Sequence, residues 1–164
     1  AKLDREANES LKSDSIPEKE PSPPLIRPRS AVSVQEFKKE LQEIEDAVIA
    51  LISKEKRAKV TKEVGVGDTG ATFDAYLQTK DGFMFLEVRV LNSPVLGNAI
   101  DRLLYSALLA HTYLPNRFRL LVAVVYDFEE DQLDRVKQFW ERKVEKCPAN
   151  IELRFISKKK LLSA

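Results

Sequence analysis

Phe73-Asp-Ala-Tyr-Leu-Gln-Thr-Lys-Asp-Gly-Phe-Met-Phe-Leu-Glu-Val-Arg89 is the stretch that decides how this chain folds. Ahead of its turn, Ala71, Phe73, Ala75 and Leu77 alternate with Thr72, Asp74, Tyr76 and Gln78. That is the two-residue period of a half-buried strand. Thr79-Lys-Asp-Gly82 has the small, turn-forming residues that close a hairpin. Phe83 to Leu91 follows as a third strand, apolar on both faces near its start, which predicts a central position in a sheet.

Working outward from the hairpin, Gly65-Val-Gly67-Asp-Thr-Gly70 marks a turn, and Val60 to Val66 before it reads as the first strand. Upstream, Phe37, Leu41, Ile44, Val48 and Leu51 recur every three or four residues. They predict an amphipathic helix over Val32 to Lys56, with Ser33 as cap and Glu36 three residues on. Downstream, Ile100, Leu103, Leu104, Ala107, Leu108 and Leu114 give a helix over Asn98 to Leu114, ended by Pro115-Asn116. Phe118 to Tyr126 is a nearly continuous apolar strand of the kind buried between helix layers. A further helix, Glu129 to Lys146, leads through Pro148 into a last strand, Ile151 to Ile156. The order α-β-β-β-α-β-α-β, without internal repeat, predicts an α/β domain with a mixed central sheet flanked by helices.

The 164 residues, 43% hydrophobic and 32% charged, provide for one ordinary core and a tail. Ala1 to Ser30 holds five of the eight prolines, six basic and six acidic residues, and no glycine or aromatic. Such a segment cannot bury enough apolar surface to offset its ordering entropy. The expected boundaries are a disordered proline-rich linker over 1–30 and a domain over 31–164. The linker is expected to tether the domain to another domain or protein, in a chain that is itself a piece of something longer. A single cysteine, Cys147, excludes an internal disulfide, and no run reaches the ~18 apolar residues of a membrane span. A cytoplasmic, intracellular setting is expected. A net charge of +1 gives no global signature of nucleic-acid binding, so any such surface must be local.

The chemistry concentrates on the hairpin. Neighbouring strands bring Asp74 and Glu87, thirteen residues apart, to one edge of the sheet. Glu87 and Arg89, two apart, point to one face. Paired carboxylates on rigid strands hold Mg²⁺ or Mn²⁺, which take oxygen ligands and keep water positions open. With a cation beside them, such a pair suits phosphodiester hydrolysis.

The motif Phe73-Asp74, twelve residues, Glu87-Val88-Arg89, set in this element order over about four fifths of the chain, resembles the PD-(D/E)XK nucleases. The resemblance implies a restriction-endonuclease-like fold and a metal-dependent nuclease, acting on DNA with Mg²⁺ or Mn²⁺. It makes Asp74 and Glu87 metal ligands, the Val88 carbonyl an additional one, and Arg89 the occupant of the usual lysine position. An acid of the first helix can join them, and Glu40 is preferred over Glu45 for this. Phe73 stands where the family has proline. Arg89 keeps the charge of lysine but is a planar fork that stays protonated. The same residues also fit a catalytically degenerate module of this fold that binds nucleic acid or a protein partner without cutting it.

Lys54, Lys56, Arg57, Lys59 and Lys62 form a basic run with the reach to contact phosphate, or simply a solvated helix end; Lys158-Lys-Lys160 is a second. Asp101 and Tyr105, one turn apart, sit where some members of the family carry Gln-x-x-x-Tyr, so Tyr105 is a candidate nucleic-acid contact. A helix-dipole acid and a core-boundary tyrosine are the simpler account of the two and the preferred one. Gly65-x-Gly67-x-x-Gly70, with Glu87 seventeen residues on, fits a dinucleotide-binding fingerprint, a third possibility. It requires a helix after the glycines, where a strand is expected. His111 and Cys147 lack partners for catalysis, and Phe139 or Trp140 is expected to pack on the sheet.

Overall fold

A computed structural model describes residues 31–94 and 99–163. The expectations for Ala1 to Ser30 and for Asn98 lie outside the described residues. The chain divides into two units, Ala1–Lys39 and Glu40–Ala164. The first contributes, among its described residues, the opening turns of a helix; everything below concerns the second.

The elements are α1 (Ala31–Lys56), β1 (Lys59–Gly65), β2 (Thr72–Thr79), β3 (Gly82–Leu91), α2 (Ala99–Tyr113), β4 (Arg119–Tyr126), a 3₁₀ turn (Glu130–Gln132), α3 (Leu133–Glu145), β5 (Asn150–Ser157) and α4 (Lys158–Ser163). The predicted order is the observed one, with one addition. The basic run after the last strand is the start of a short helix, α4, anchored by Leu161.

Five strands form one mixed sheet in the order β1-β2-β3-β4-β5. The first three are antiparallel, as tight turns allow. The pairs β3-β4 and β4-β5 are parallel, and α2 and α3 supply the crossovers that parallel pairs need. One face of the sheet carries Ala75, Leu77, Leu86, Val88, Leu121, Ala123 and Val125 against Ile44, Val48, Ile49 and Ile52 of α1. The other carries Phe85, Leu120, Val122 and Val124 against Ile100, Leu103, Ala107 and Ala110 of α2 and Val136 and Trp140 of α3. Because both faces are covered, β4 is buried from Leu120 to Tyr126, which explains its unbroken apolar sequence.

The hairpin β1-β2 departs from simple alternation. Ala75 and Leu77 lie under α1, yet Phe73 packs in the opposite layer, 5.3 Å from the Phe85 ring and 5.7 Å from that of Phe118. Val60 and Val64 of β1 are divided between the layers in the same way. The change of face falls at Asp74. There the β1-β2 register passes from Lys62↔Ala75 to Val64↔Phe73 without pairing Glu63, whose φ is +53°. The β2-β3 ladder ends one residue short of it, at Ala75↔Leu86. A local kink of this kind sharpens twist and re-aims a side chain.

The glycine motif is a turn within this hairpin. The Val66 N–H donates to the Ala71 carbonyl at 3.0 Å, and Gly67 and Gly70 have φ of +54° and +85°. Strand β2 follows the glycines, so the dinucleotide reading of Gly65, Gly67 and Gly70 is corrected: no helix N-terminus stands there to receive a pyrophosphate.

Candidate active site

Where the β2-β3 ladder stops, side chains take over the backbone hydrogen bonds. The Asp74 N–H donates to Glu87 Oε1 at 3.2 Å, and the Val88 N–H donates to Asp74 Oδ2 at 2.7 Å. Each acid is thus fixed by the other's strand, and the two carboxyls hydrogen-bond to each other. The Arg89 guanidinium lies on the same side as Glu87, with Nη1 2.8 Å from Glu87 Oε2, as two-residue spacing requires. Among the described residues Glu87 is the one charged side chain that is buried, 7% exposed.

Burial and crowding of like charges raise the proton affinity of this group. Desolvation is the main cause at Glu87, whose carboxyl is pushed up to about 8; Arg89 opposes the shift and Asp74 adds to it. Asp74 is raised by burial too, against the pull of the Val88 N–H and of Arg89. Glu45 of α1 is pushed up to about 7, first by burial and next by the charge of Asp74, and its own charge acts on Glu87. Asp74 and Glu87 therefore exchange protons as a coupled pair.

The expected helix acid has to be corrected. The Glu40 carboxylate does not join the pair; its Oε2 lies 2.9 Å from Lys158 Nζ, which also reaches Asp127. Glu45, the other candidate, is the α1 acid whose charge Asp74 and Glu87 feel. Glu63, which sequence reasoning did not single out, adds its charge to Asp74 and Glu45 from the unpaired position in β1. Its only signal was its place opposite Asp74, which needs the hairpin register to be seen. Val88 meets the site through its N–H, while its side chain is buried under α1.

The basic run lies elsewhere. Lys59 pairs with Gln78, four residues and therefore ~13 Å along β2 from Asp74. Lys54, Arg57 and Lys59 are exposed at that end, with Lys56 half-buried. Lys62 is bound to Asp46, 2.8 Å away. On α2, Asp101 pairs with Lys143 of α3 at 2.9 Å and Tyr105 is 62% exposed. Trp140 is the buried aromatic of α3, edge-on to Phe155, and Phe139 is half-buried beside it.

Among the described residues no group of three or more His, Cys, Asp or Glu side chains is gathered closely enough to hold a metal ion. What is assembled is a pair of carboxylates. Such a donor set fits a hard cation that keeps most of its coordination as water, such as Mg²⁺ or Mn²⁺. No described helix is long and apolar enough to cross a membrane.

No family model matches the chain, and no curated protein matches it. Among solved structures it is similar to SfsA of Pyrococcus furiosus, determined in complex with Ca²⁺. The TM-score is 0.44 and the identity 10%, over 76% of this chain and 57% of that one. The chain thus spans little more than half the length of that structure.

Proposed function

We propose that this domain is a divalent-cation-dependent nuclease that hydrolyses phosphodiester bonds, with DNA as the first substrate to test. The observation that carries the reading is the Asp74–Glu87 pair, each carboxylate fixed by the backbone N–H that the opposing strand brings to it. The resemblance of Phe73-Asp74 and Glu87-Val88-Arg89 to the PD-(D/E)XK pattern supports it. Asp74 and Glu87 would hold Mg²⁺ or Mn²⁺, which when bound lowers the pKa of a water and offsets charge on the phosphate. Around them the charges of Glu45 and Glu63 add to an excess of negative charge that favours a cation at this point. Arg89, which contacts Glu87, would steady it and offer its remaining N–H donors to a scissile phosphate. Lys54, Lys56, Arg57 and Lys59 would contact phosphates further along the strand, with Tyr105 on another flank, and the proline-rich arm would join the domain to a partner.

The decisive experiment offers plasmid, single-stranded DNA and RNA to the purified chain with Mn²⁺ and with a chelator. Cleavage that requires Mn²⁺ and disappears in Asp74→Ala and Glu87→Ala, with circular dichroism unchanged, is the expected result. Full cleavage by Asp74→Ala removes these residues from the role. A second reading rests on the 2.8 Å contact of Arg89 with Glu87. There the arginine itself neutralises the acid, and the domain binds nucleic acid or protein without cutting. Metal-independent binding, with no cleavage by wild type or Arg89→Lys, would select it.

A further inference from the structure

The two outer edges of the sheet are built differently. Edge strands expose unpaired N–H and C=O groups, and proteins blunt them with charge, bulges or irregular backbone. Strand β1 has these devices: Lys59, Lys62 and Glu63 in seven residues, and a register interrupted at Glu63. Strand β5, Asn-Ile-Glu-Leu-Arg-Phe-Ile-Ser, carries two charges of opposite sign, Glu152 and Arg154, and no break in its register. It pairs with β4 in regular parallel register over all eight residues, Arg119↔Asn150 to Tyr126↔Ser157. Among the described residues no strand lies on its other side.

Its sequence is also complementary to itself. If a second β5 runs antiparallel alongside, centred on Leu153 opposite Leu153, then Glu152 of each strand stands opposite Arg154 of the other. Ile151 stands opposite Phe155. Residues directly opposite share a face, so this single register makes two cross-strand ion pairs on one side and two aliphatic–aromatic pairs on the other. Glu152 is exposed and available for such a contact. Arg154 is already held in place by the Glu55 carboxylate of α1, which takes two of the five guanidinium donors, so its remaining donors are presented at little entropic cost.

We propose that β5 is a self-association edge, at which a second copy of this chain adds antiparallel about a two-fold axis, fusing two five-stranded sheets into one of ten strands. The interface is isologous, each copy presenting the same strand.

Register-specific charge reversal tests it by sedimentation velocity over a concentration series up to about 100 µM. Wild type sediments as a concentration-dependent dimer. Glu152→Arg sets two arginines against two arginines and weakens the dimer about tenfold or more; Arg154→Glu sets acids against acids with the same result. An equimolar mixture of the two variants restores both ion pairs, and the heterodimer forms with near wild-type affinity. Melting curves show whether each variant remains folded: Arg154→Glu also loses Glu55, while Glu152→Arg gives up only the weaker attraction of Glu152 to Arg154 on its own strand and carries the test alone if Arg154→Glu unfolds. A monomeric wild type at the highest concentration overturns the proposal. So does a dimer that Glu152→Arg leaves intact, or two folded variants that fail to recover on mixing.

Discussion

Asp74→Asn should make the protein more stable at alkaline pH while removing its proposed activity. In the folded chain Glu87 holds its proton up to about pH 8, against 4.5 for an ordinary glutamate, and Asp74 is raised in the same direction. The folded state therefore binds more protons than the unfolded one between these limits, and stability falls as pH rises through them. Most of that shift is desolvation, which Asp74→Asn leaves in place; the charge of Asp74 supplies a smaller part, and that repulsion is what the substitution removes once both acids are ionised. Asparagine keeps the acceptor for the Val88 N–H and turns an amide N–H toward Glu87, so a hydrogen bond replaces a repulsion. A gain of ~1 kcal/mol is expected, or about 3 °C in melting temperature for a chain of this size. Thermal melts followed by circular dichroism from about pH 5 to about pH 9, in chelator and at fixed ionic strength, give the comparison. The gain should be greatest at the alkaline end and shrink toward zero near pH 5, where the wild-type pair shares protons. Adding Mn²⁺ at alkaline pH should raise the wild-type melting temperature and leave the variant unchanged. Lower stability of Asp74→Asn near pH 8, or a wild-type curve flat across the range, would refute the picture of two crowded, desolvated acids.

Arg89→Lys should keep or raise Mn²⁺-dependent plasmid cleavage, because a compact ammonium replaces the fork that clasps Glu87; a nicking assay that shows activity lost would make the guanidinium itself essential. Leu121→Ala empties a fully buried site under α1 and should cost ~3 kcal/mol by urea unfolding. Gly67→Ala should cost about 1–2 kcal/mol, since φ there is +54° and a Cβ would come 2.4 Å from the Tyr113 ring. In a Tyr113→Ala background only the backbone part, ~1 kcal/mol, should remain; an unchanged cost would show that the ring does not resist the methyl group.

The fold was legible because its signals are local and agree with one another. The alternation Ala75 to Leu77, the turn at Gly82 and the double-sided apolar run of β3 each specify a neighbour in sequence, and the helix periods specify the layers. What escaped was the change of face in the hairpin. Phe73, Ala75 and Leu77 read as one side of one strand, and nothing in their order announces the kink, which follows from packing Phe73 with Phe85 and Phe118. Helix α4 escaped for a similar reason: three lysines look like a solvated tail until Leu161 meets the α1 layer.

The site follows the same division. Asp74, Glu87 and Arg89 were readable because strand spacing alone brings them together, and the structure adds why two acids are tolerated there. The kink ends the ladder at Ala75↔Leu86, leaving backbone donors at Asp74 and Val88 that only the acids satisfy. An apolar pair at these positions would leave those donors buried and unmet, at ~1–3 kcal/mol each. The acids thus answer the defect that creates them, and the desolvation that raises their proton affinity comes with the position. The choice between Glu40 and Glu45 turned instead on a tertiary partner more than a hundred residues away. Lys158, at the start of α4, holds Glu40, and that leaves Glu45 as the α1 acid that responds to Asp74. A helix period cannot carry that information, since both acids flank the same apolar stripe, and only the pairing of α1 with the end of β5 decides between them.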